Sequence, residues 1–222
     1  MTKNIIDELF SKGAHFGYSK TRRQPSAKKF IFGTKEGLDI IDLEQTVDAI
    51  EVAKTKLQDI TSKGGKIIFV GNKFEIKDLT PELAKSGSIF YVNNRWIGGT
   101  LTNFREIQKR IKKLALLVKD AETGEFAKFT KKEALKKEKE IIKLKKYYQG
   151  LLNMFEKPKA IVVIDAAAES IAVEEAKKIG IPVISISNTD NDVSEIEFPI
   201  MANDRSRSTI KFIIEELFSV IK

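Results

Sequence analysis

Three short runs dominated by apolar residues limit the possible folds of this chain more than any other feature. They lie at 66–70, 160–165 and 182–187, and segments with the spacing of amphipathic helices separate them along the chain. A strand that is apolar on both faces is typical of a parallel sheet covered by helices on both sides. The alternation of such strands with helices therefore predicts an α/β sandwich.

The remaining segments complete this sandwich. Apolar residues recur every three or four positions from 43 to 62, as in a helix, and Gly64 and Gly65 end the pattern. Residues 13–27 are mostly polar and basic, and we expect a loop there. Asn103 and Asp204 are predicted N-caps of the helices that follow them. We expect helices at 3–12, 43–62, 74–85, 170–179 and 204–220, and strands at 30–32, 38–41, 88–92 and 198–201. Pro81 makes the helix at 74–85 short or broken.

Residues 103–155 follow a different pattern. Apolar residues there step by three and four in two separate stretches, on either side of a turn near Thr123 and Gly124. This spacing predicts two helices in an antiparallel coiled-coil hairpin, inserted into a globular α/β domain made of 1–102 and 156–222. The apolar positions are Phe104, Ile107, Ile111, Leu114 and Val118 in the first helix and Ile141, Leu144, Tyr148, Leu151 and Phe155 in the second.

Positive charge is concentrated in two zones. The formal net charge is +8, and residues 103–155 hold 15 Lys and Arg against 7 Asp and Glu, whereas the rest of the chain holds 24 of each. A second zone, 12–35, contains seven Lys or Arg and no acidic residue. Such clustering is typical of polyanion binding. A solvated basic face without a partner is the alternative.

The only tryptophan lies in the segment 92–104, between a predicted strand and the basic hairpin. Asn93, Asn94, Arg95 and Trp96 at one strand exit form a plausible recognition surface, and the double glycine at 98–99 permits close backbone approach. Trp96 stacks on a nucleic-acid base in one interpretation. In the other, it belongs to the core beneath a strand-to-helix turn.

Several kinds of catalytic site are not supported by the sequence. It has no cysteine, one histidine (His15), and neither a Gly-rich dinucleotide motif nor a phosphate-binding loop. Asp165 and the acids of 189–192 follow strands, where they either bind a metal or cap helices, and we favour capping. We expect no metal and no cofactor. The main alternative is an enzyme that binds a nucleotide or phosphometabolite at the strand ends near Gly71, Asp165 and Asn188.

The sequence also shows no pattern typical of a signal peptide or a membrane span. The first ten residues lack the layout of a signal peptide, and no apolar run approaches the ~20 residues of a membrane span. We therefore expect an intracellular protein with no membrane partner.

The order of several motifs resembles the S2 family of small-subunit ribosomal proteins, bacterial type, from about residue 9 to 218. The longest is Val-Asn-Asn-Arg-Trp-Ile-Gly-Gly-Thr-Leu-Thr-Asn at 92–103. Shorter ones are Ala-His-Phe-Gly at 14–17, Phe-Ile-Phe-Gly at 30–33 and Gly-Ile-Pro-Val at 180–183. The chain departs from the family at Gly17 and Gln24, where many members carry His and Trp, so a metal site built on histidines is not expected.

The resemblance implies a flavodoxin-like domain with a protruding coiled-coil hairpin and a structural, non-enzymatic role. It implies a cytoplasmic protein of the small ribosomal subunit that binds small-subunit ribosomal RNA, supports late assembly, and touches neighbouring ribosomal proteins, including protein S1 where a species has it. The candidate RNA-binding residues combine the basic loop, the tryptophan segment and the hairpin base. They are Arg22, Arg23, Lys28, Lys29, Arg95, Trp96, Arg105, Lys109, Arg110, Lys112 and Lys113.

Overall fold

The structure, a computed structural model, describes residues 2–84 and 87–221. The α-helices are α1 (Thr2–Ser11), α2 (Leu43–Ser62), α3 (Thr80–Leu83), α4 (Phe104–Glu122), α5 (Lys131–Tyr148), α6 (Ser170–Lys178) and α7 (Arg207–Phe218). The strands are β1 (Phe16–Ser19), β2 (Ile31–Lys35), β3 (Leu38–Ile41), β4 (Ile67–Val70), β5 (Ile89–Val92), β6 (Ala160–Ile164), β7 (Val183–Ser187) and β8 (Phe198–Met201). Four 3-10 helices are Lys20–Arg22, Pro25–Phe30, Glu125–Lys128 and Gln149–Leu151.

Five strands form one parallel sheet in the order β5-β4-β6-β7-β8. Numbered along the chain, this order is 2-1-3-4-5, the flavodoxin-like arrangement. The three central strands β4, β6 and β7 are buried at every residue, which confirms the parallel sheet predicted from the apolar runs. A separate antiparallel sheet of three strands, β1-β3-β2, precedes it in the chain.

Helices cover both faces of the parallel sheet. Alternate strand residues such as Ile68 and Val163 pack with α4, α5 and α6 on one face. Their neighbours Ile67 and Val162 pack with α1, α2 and α7 on the other face. Each strand thus contributes to two apolar cores, which explains why its sequence does not alternate between apolar and polar residues.

α4 and α5 form the predicted antiparallel hairpin, with Gly124 in the left-handed conformation at the turn between them. An ion pair between Lys113 and Glu140 joins the two helices. The predicted apolar seam is correct except near two positions. Leu117 is buried more deeply than Val118, and Met154 is buried whereas Phe155 is 69% exposed. The second error arises because the 3-10 turn Gln149–Leu151 ends the α-helical spacing before residue 155.

Some local predictions were wrong. Part of the expected loop 13–27 forms β1, because it pairs with β3, and the rest contains 3-10 turns. The helix expected at 74–85 is short, as Pro81 predicted: it is only α3, with Pro81 in its first turn, and Lys85 lies outside the described residues. Ser206, not Asp204, caps α7 through its side chain. Asn103 does occupy the N-cap position of α4, but its side chain forms no capping hydrogen bond.

Candidate nucleic-acid interface

The basic loop places Arg22, Lys28 and Lys29 on the surface. The Arg22 side chain is 56% exposed, pairs with Asp190 at 2.9 Å, and stacks over the Tyr18 ring at 4.3 Å. Lys28 and Lys29 lie exposed at the end of the 3-10 helix Pro25–Phe30. These three cations remain accessible to a polyanion.

Arg23 points inward. Its guanidinium makes two hydrogen bonds to Asp39, one of them 2.7 Å from Nε, and a third to Thr34. Asp39 is fully buried, and the hydrogen bond from Arg23 is the main reason why the pKa of this carboxyl is lowered. The arginine thus joins the basic loop to β3, and in this conformation it is engaged by the protein itself.

Arg205 joins the same surface and was missed by the sequence analysis. Its guanidinium lies 5.0 Å from the centroid of the Tyr18 ring, which Arg22 also contacts. Arg205 is exposed and comes from the loop before α7, far from the basic loop in sequence. Only the tertiary structure brings the two arginines together.

All the predicted cations at the hairpin base are exposed. Lys109 pairs with Glu106 at 2.6 Å and Lys113 pairs with Glu140. In the described part of the chain, the others form no ion pair. They are Arg95, Arg105, Arg110 and Lys112.

Trp96 is 3% exposed and lies in the core between the sheet and the hairpin. Its buried faces offer no room for a base in this conformation, so burial favours the core interpretation over stacking. The indole Nε1 donates a hydrogen bond of 3.3 Å to Glu175 on α6. Trp96 therefore packs beneath the exposed residues of the segment 92–104.

Glu175 on α6 anchors the loop that precedes α4. Its buried carboxylate also accepts hydrogen bonds from the backbone N–H groups of Gly99 (2.6 Å), Leu101 (2.9 Å) and Thr102 (3.1 Å) and from the Thr102 hydroxyl (3.1 Å). Burial alone would raise the pKa of Glu175, but the hydrogen bonds outweigh burial and the pKa lies below its usual value. This carboxylate holds the loop from which α4 starts, and no local sequence pattern identified it.

The carboxyl ends of the parallel strands, where an α/β enzyme would bind its ligand, are occupied by the protein's own side chains. Lys73 bridges Asp165 (2.9 Å) and Asp204, and Asn188 donates to Asp204 at 3.0 Å. A side chain at Gly71 would lie 2.4 Å from the Thr80 hydroxyl. Asp165 and Asn188, which the enzyme alternative requires, are thus bound to other side chains of the protein.

The two acids of the loop 189–192 are also bound within the protein. Asp190 pairs with Arg22, and Asp192 accepts hydrogen bonds from Ser194 N and Ser26 Oγ. Across residues 2–84 and 87–221 no three His, Asp or Glu side chains are grouped so that they could hold a metal ion. In the same residues, no helix is both long and apolar enough to cross a membrane.

The flavodoxin-like sheet and its basic hairpin define a class of α/β proteins that carry a charged helical arm. The family model of ribosomal protein S2 matches residues 9–222, nearly the whole chain. The chain therefore belongs to the ribosomal protein S2 family, whose members are structural, non-enzymatic proteins of the small ribosomal subunit.

Proposed function

We propose that the protein binds small-subunit ribosomal RNA through the basic loop and the hairpin base, and thereby supports late subunit assembly and translation. The observation that carries this proposal is the distribution of charge along the hairpin. The base, 103–114 and 139–155, has nine Lys and Arg against two Asp and Glu, whereas the distal part, 115–138, has six against five. The excess positive charge thus lies where the hairpin meets the globular domain.

The accessible cations contact RNA phosphates. The deep major groove of an RNA helix hides its bases from side chains, so binding of this kind recognises shape and backbone. Arg23 and Trp96 act indirectly, since both are engaged inside the protein. The contact set consists of Arg22, Lys28, Lys29, Arg95, Arg105, Lys109, Arg110, Lys112 and Lys113, with Arg205 added by the structure.

The hairpin 103–155 acts as a separate arm on the domain formed by 1–102 and 156–222. Near its nearly neutral distal end, Phe129 is 42% exposed and Leu135 is 51% exposed. Exposed apolar side chains of this kind favour contacts with neighbouring small-subunit proteins. The proposal includes protein S1 among these neighbours, in organisms that have it, and the cytoplasm as the site of action.

The proposal is tested by sedimentation of a tagged copy in cell lysate at low and high magnesium, combined with binding of the purified protein to a small-subunit ribosomal RNA transcript. We expect co-migration with small subunits and a transcript affinity that falls steeply with salt. Free protein near the top of the gradient, together with salt-independent or absent binding, would contradict the proposal. Saturable binding of a free nucleotide would instead support the enzyme alternative.

A further inference from the structure

A cavity of about 370 Å³ opens at the base of the hairpin, between the loop around Gly98 and the facing sides of α4 and α5. Ligand sites in proteins have volumes of ~300–1,000 Å³. The cavity therefore has the size of a site for one small ligand, such as a single nucleotide. The cavity lies within the most basic part of the molecule.

Two unpaired cations line this cavity. Arg110 comes from α4 and Lys143 from α5, and neither forms an ion pair within the residues that the structure describes. The one acid in the lining, Glu106, is already neutralised by Lys109 at 2.6 Å. The cavity thus carries a net positive charge and favours an anion.

The start of α4 adds donors to the same space. Asn103, at the N-cap, lines the cavity and leaves the first turn without a side-chain cap. A helix N-terminus carries a partial positive charge and free N–H groups, both of which favour phosphate. Gly98 is exposed, and a Cβ built there would meet nothing closer than Glu175 Oε1 at 4.0 Å. The backbone is therefore open to close approach from this side.

The cavity also contains a flat ring, which distinguishes it from a simple phosphate site. Tyr147 is only partly buried, and Lys146 Nζ lies 5.5 Å from its ring centroid. Unpaired RNA bases stack on aromatic rings of this kind. An acidic peptide would use the two cations but would gain little from the ring.

We propose that this cavity binds one unpaired nucleotide of RNA, with its phosphate on Arg110 and Lys143 and its base on Tyr147. The inference rests on the proposed function, because it specifies which kind of RNA element the hairpin base recognises. It adds Lys143, Tyr147 and Asn103 to the contact set, and the two uncharged residues do not follow from charge clustering.

The test measures the affinity of the full-length protein for a short labelled oligoadenylate and for a fully paired RNA duplex of equal length, by fluorescence anisotropy. The double variant Arg110→Ala/Lys143→Ala should bind the oligoadenylate about tenfold more weakly. The control, Lys139→Ala/Lys145→Ala, removes the same charge from exposed positions outside the cavity and should lose about twofold. Tyr147→Leu should weaken oligoadenylate binding and leave duplex binding unchanged, whereas Tyr147→Phe should restore it.

Equal losses in the cavity and control variants would overturn the inference in favour of diffuse electrostatic attraction. Cavity variants that retain RNA affinity but lose co-migration with a neighbouring ribosomal protein would assign the cavity to a protein segment. In both cases a wild-type protein that binds the ribosomal RNA transcript leaves the proposed function intact. Failure of the wild-type protein to bind that transcript would instead overturn the proposed function itself.

Discussion

Arg22 and Arg23 are neighbours in sequence with different roles. Arg22 is exposed, whereas Arg23 neutralises a fully buried Asp39. Arg22→Ala should weaken binding to the ribosomal RNA transcript and lower the salt slope by about one, with little change in thermal stability. Arg23→Ala should lower the melting temperature clearly more, because it leaves a buried carboxylate without its partner. Equal melting temperatures for the two variants would contradict this division.

Glu175 permits a sharper test at the residue scale, because the Trp96 fluorescence reports directly on its loop in a chain with one tryptophan. Glu175→Gln replaces an acceptor with an amide that cannot satisfy all the donors. Emission should shift to longer wavelengths, and RNA affinity should fall although the net charge becomes more positive. The control is Glu174→Gln on the exposed side of α6. If both variants bind RNA more tightly, Glu175 acts only as a charge.

Glu169 gives the folded state a pH dependence. Burial is the main cause that raises its pKa to about 7, although a hydrogen bond from Asn72 opposes the shift. Because the folded state keeps this proton longer than the unfolded state, the contribution is present below about pH 4.5 and lost as pH rises to about 7. Between pH 5 and pH 8 the loss is about 2–3 kcal/mol.

Glu169→Gln removes this contribution. The melting temperature of the variant should therefore fall less, or rise more, from pH 5 to pH 8 than that of the wild type, by several degrees. Burial lowers the pKa of His15, which acts in the opposite direction, but His15 is present in both proteins and cancels in the comparison. Parallel pH profiles for the two proteins would contradict the assignment.

At the scale of elements, the sequence predicted those helices and strands that depend on the local spacing of apolar residues. The helix α2 has the predicted bounds because Asp42 caps it and Gly64 and Gly65 follow it. The central strands were predicted because burial on both faces leaves a continuous apolar run. β1 was missed because its partner β3 lies about twenty residues away, and only four residues, interrupted by Gly17, carry its strand pattern.

The candidate interface could likewise be predicted only where it depends on local sequence. Charge clustering identified the exposed cations, but charge alone does not distinguish Arg22 from Arg23. That distinction depends on Asp39, and the loop depends on Glu175, which lies more than seventy residues from the loop that it holds. Contacts of this length leave no periodic trace in a single sequence.

Gly150 fixes how the hairpin returns to the sheet. A Cβ at this position would lie 2.2 Å from the Tyr91 carbonyl oxygen and 2.5 Å from its ring, so the turn after α5 must move away from β5. Gly150→Ala should destabilise the protein by about 1–3 kcal/mol. Gly33→Ala is the control, since nothing lies within 4 Å of a Cβ there. Equal urea midpoints for both variants would show that the turn adapts freely.

At the scale of the whole molecule, the proposed function assigns separate roles to the base and the distal part of the hairpin. The Lys113–Glu140 pair marks where the helices face each other, so a short Gly-rich turn can replace residues 115–138. This variant loses six cations and five acids, a net change of only one charge. Its affinity for the RNA transcript and its salt slope should therefore change little, the slope by about one at most.

The same shortened protein should nevertheless be retained less well in small subunits, because it lacks the exposed apolar tip around Leu135. Two quantities are measured for each protein: its affinity for the transcript and the fraction that co-sediments with subunits. The comparison protein is a full-length variant in which Arg105, Lys109 and Lys112 are changed to Ala. That variant should show the opposite pattern, with weak transcript binding from the start, because the proposed function places the RNA contacts on the charges at the hairpin base. A shortened hairpin that loses transcript affinity as severely would mean that RNA contacts extend along the whole arm, and that charge excess does not locate them.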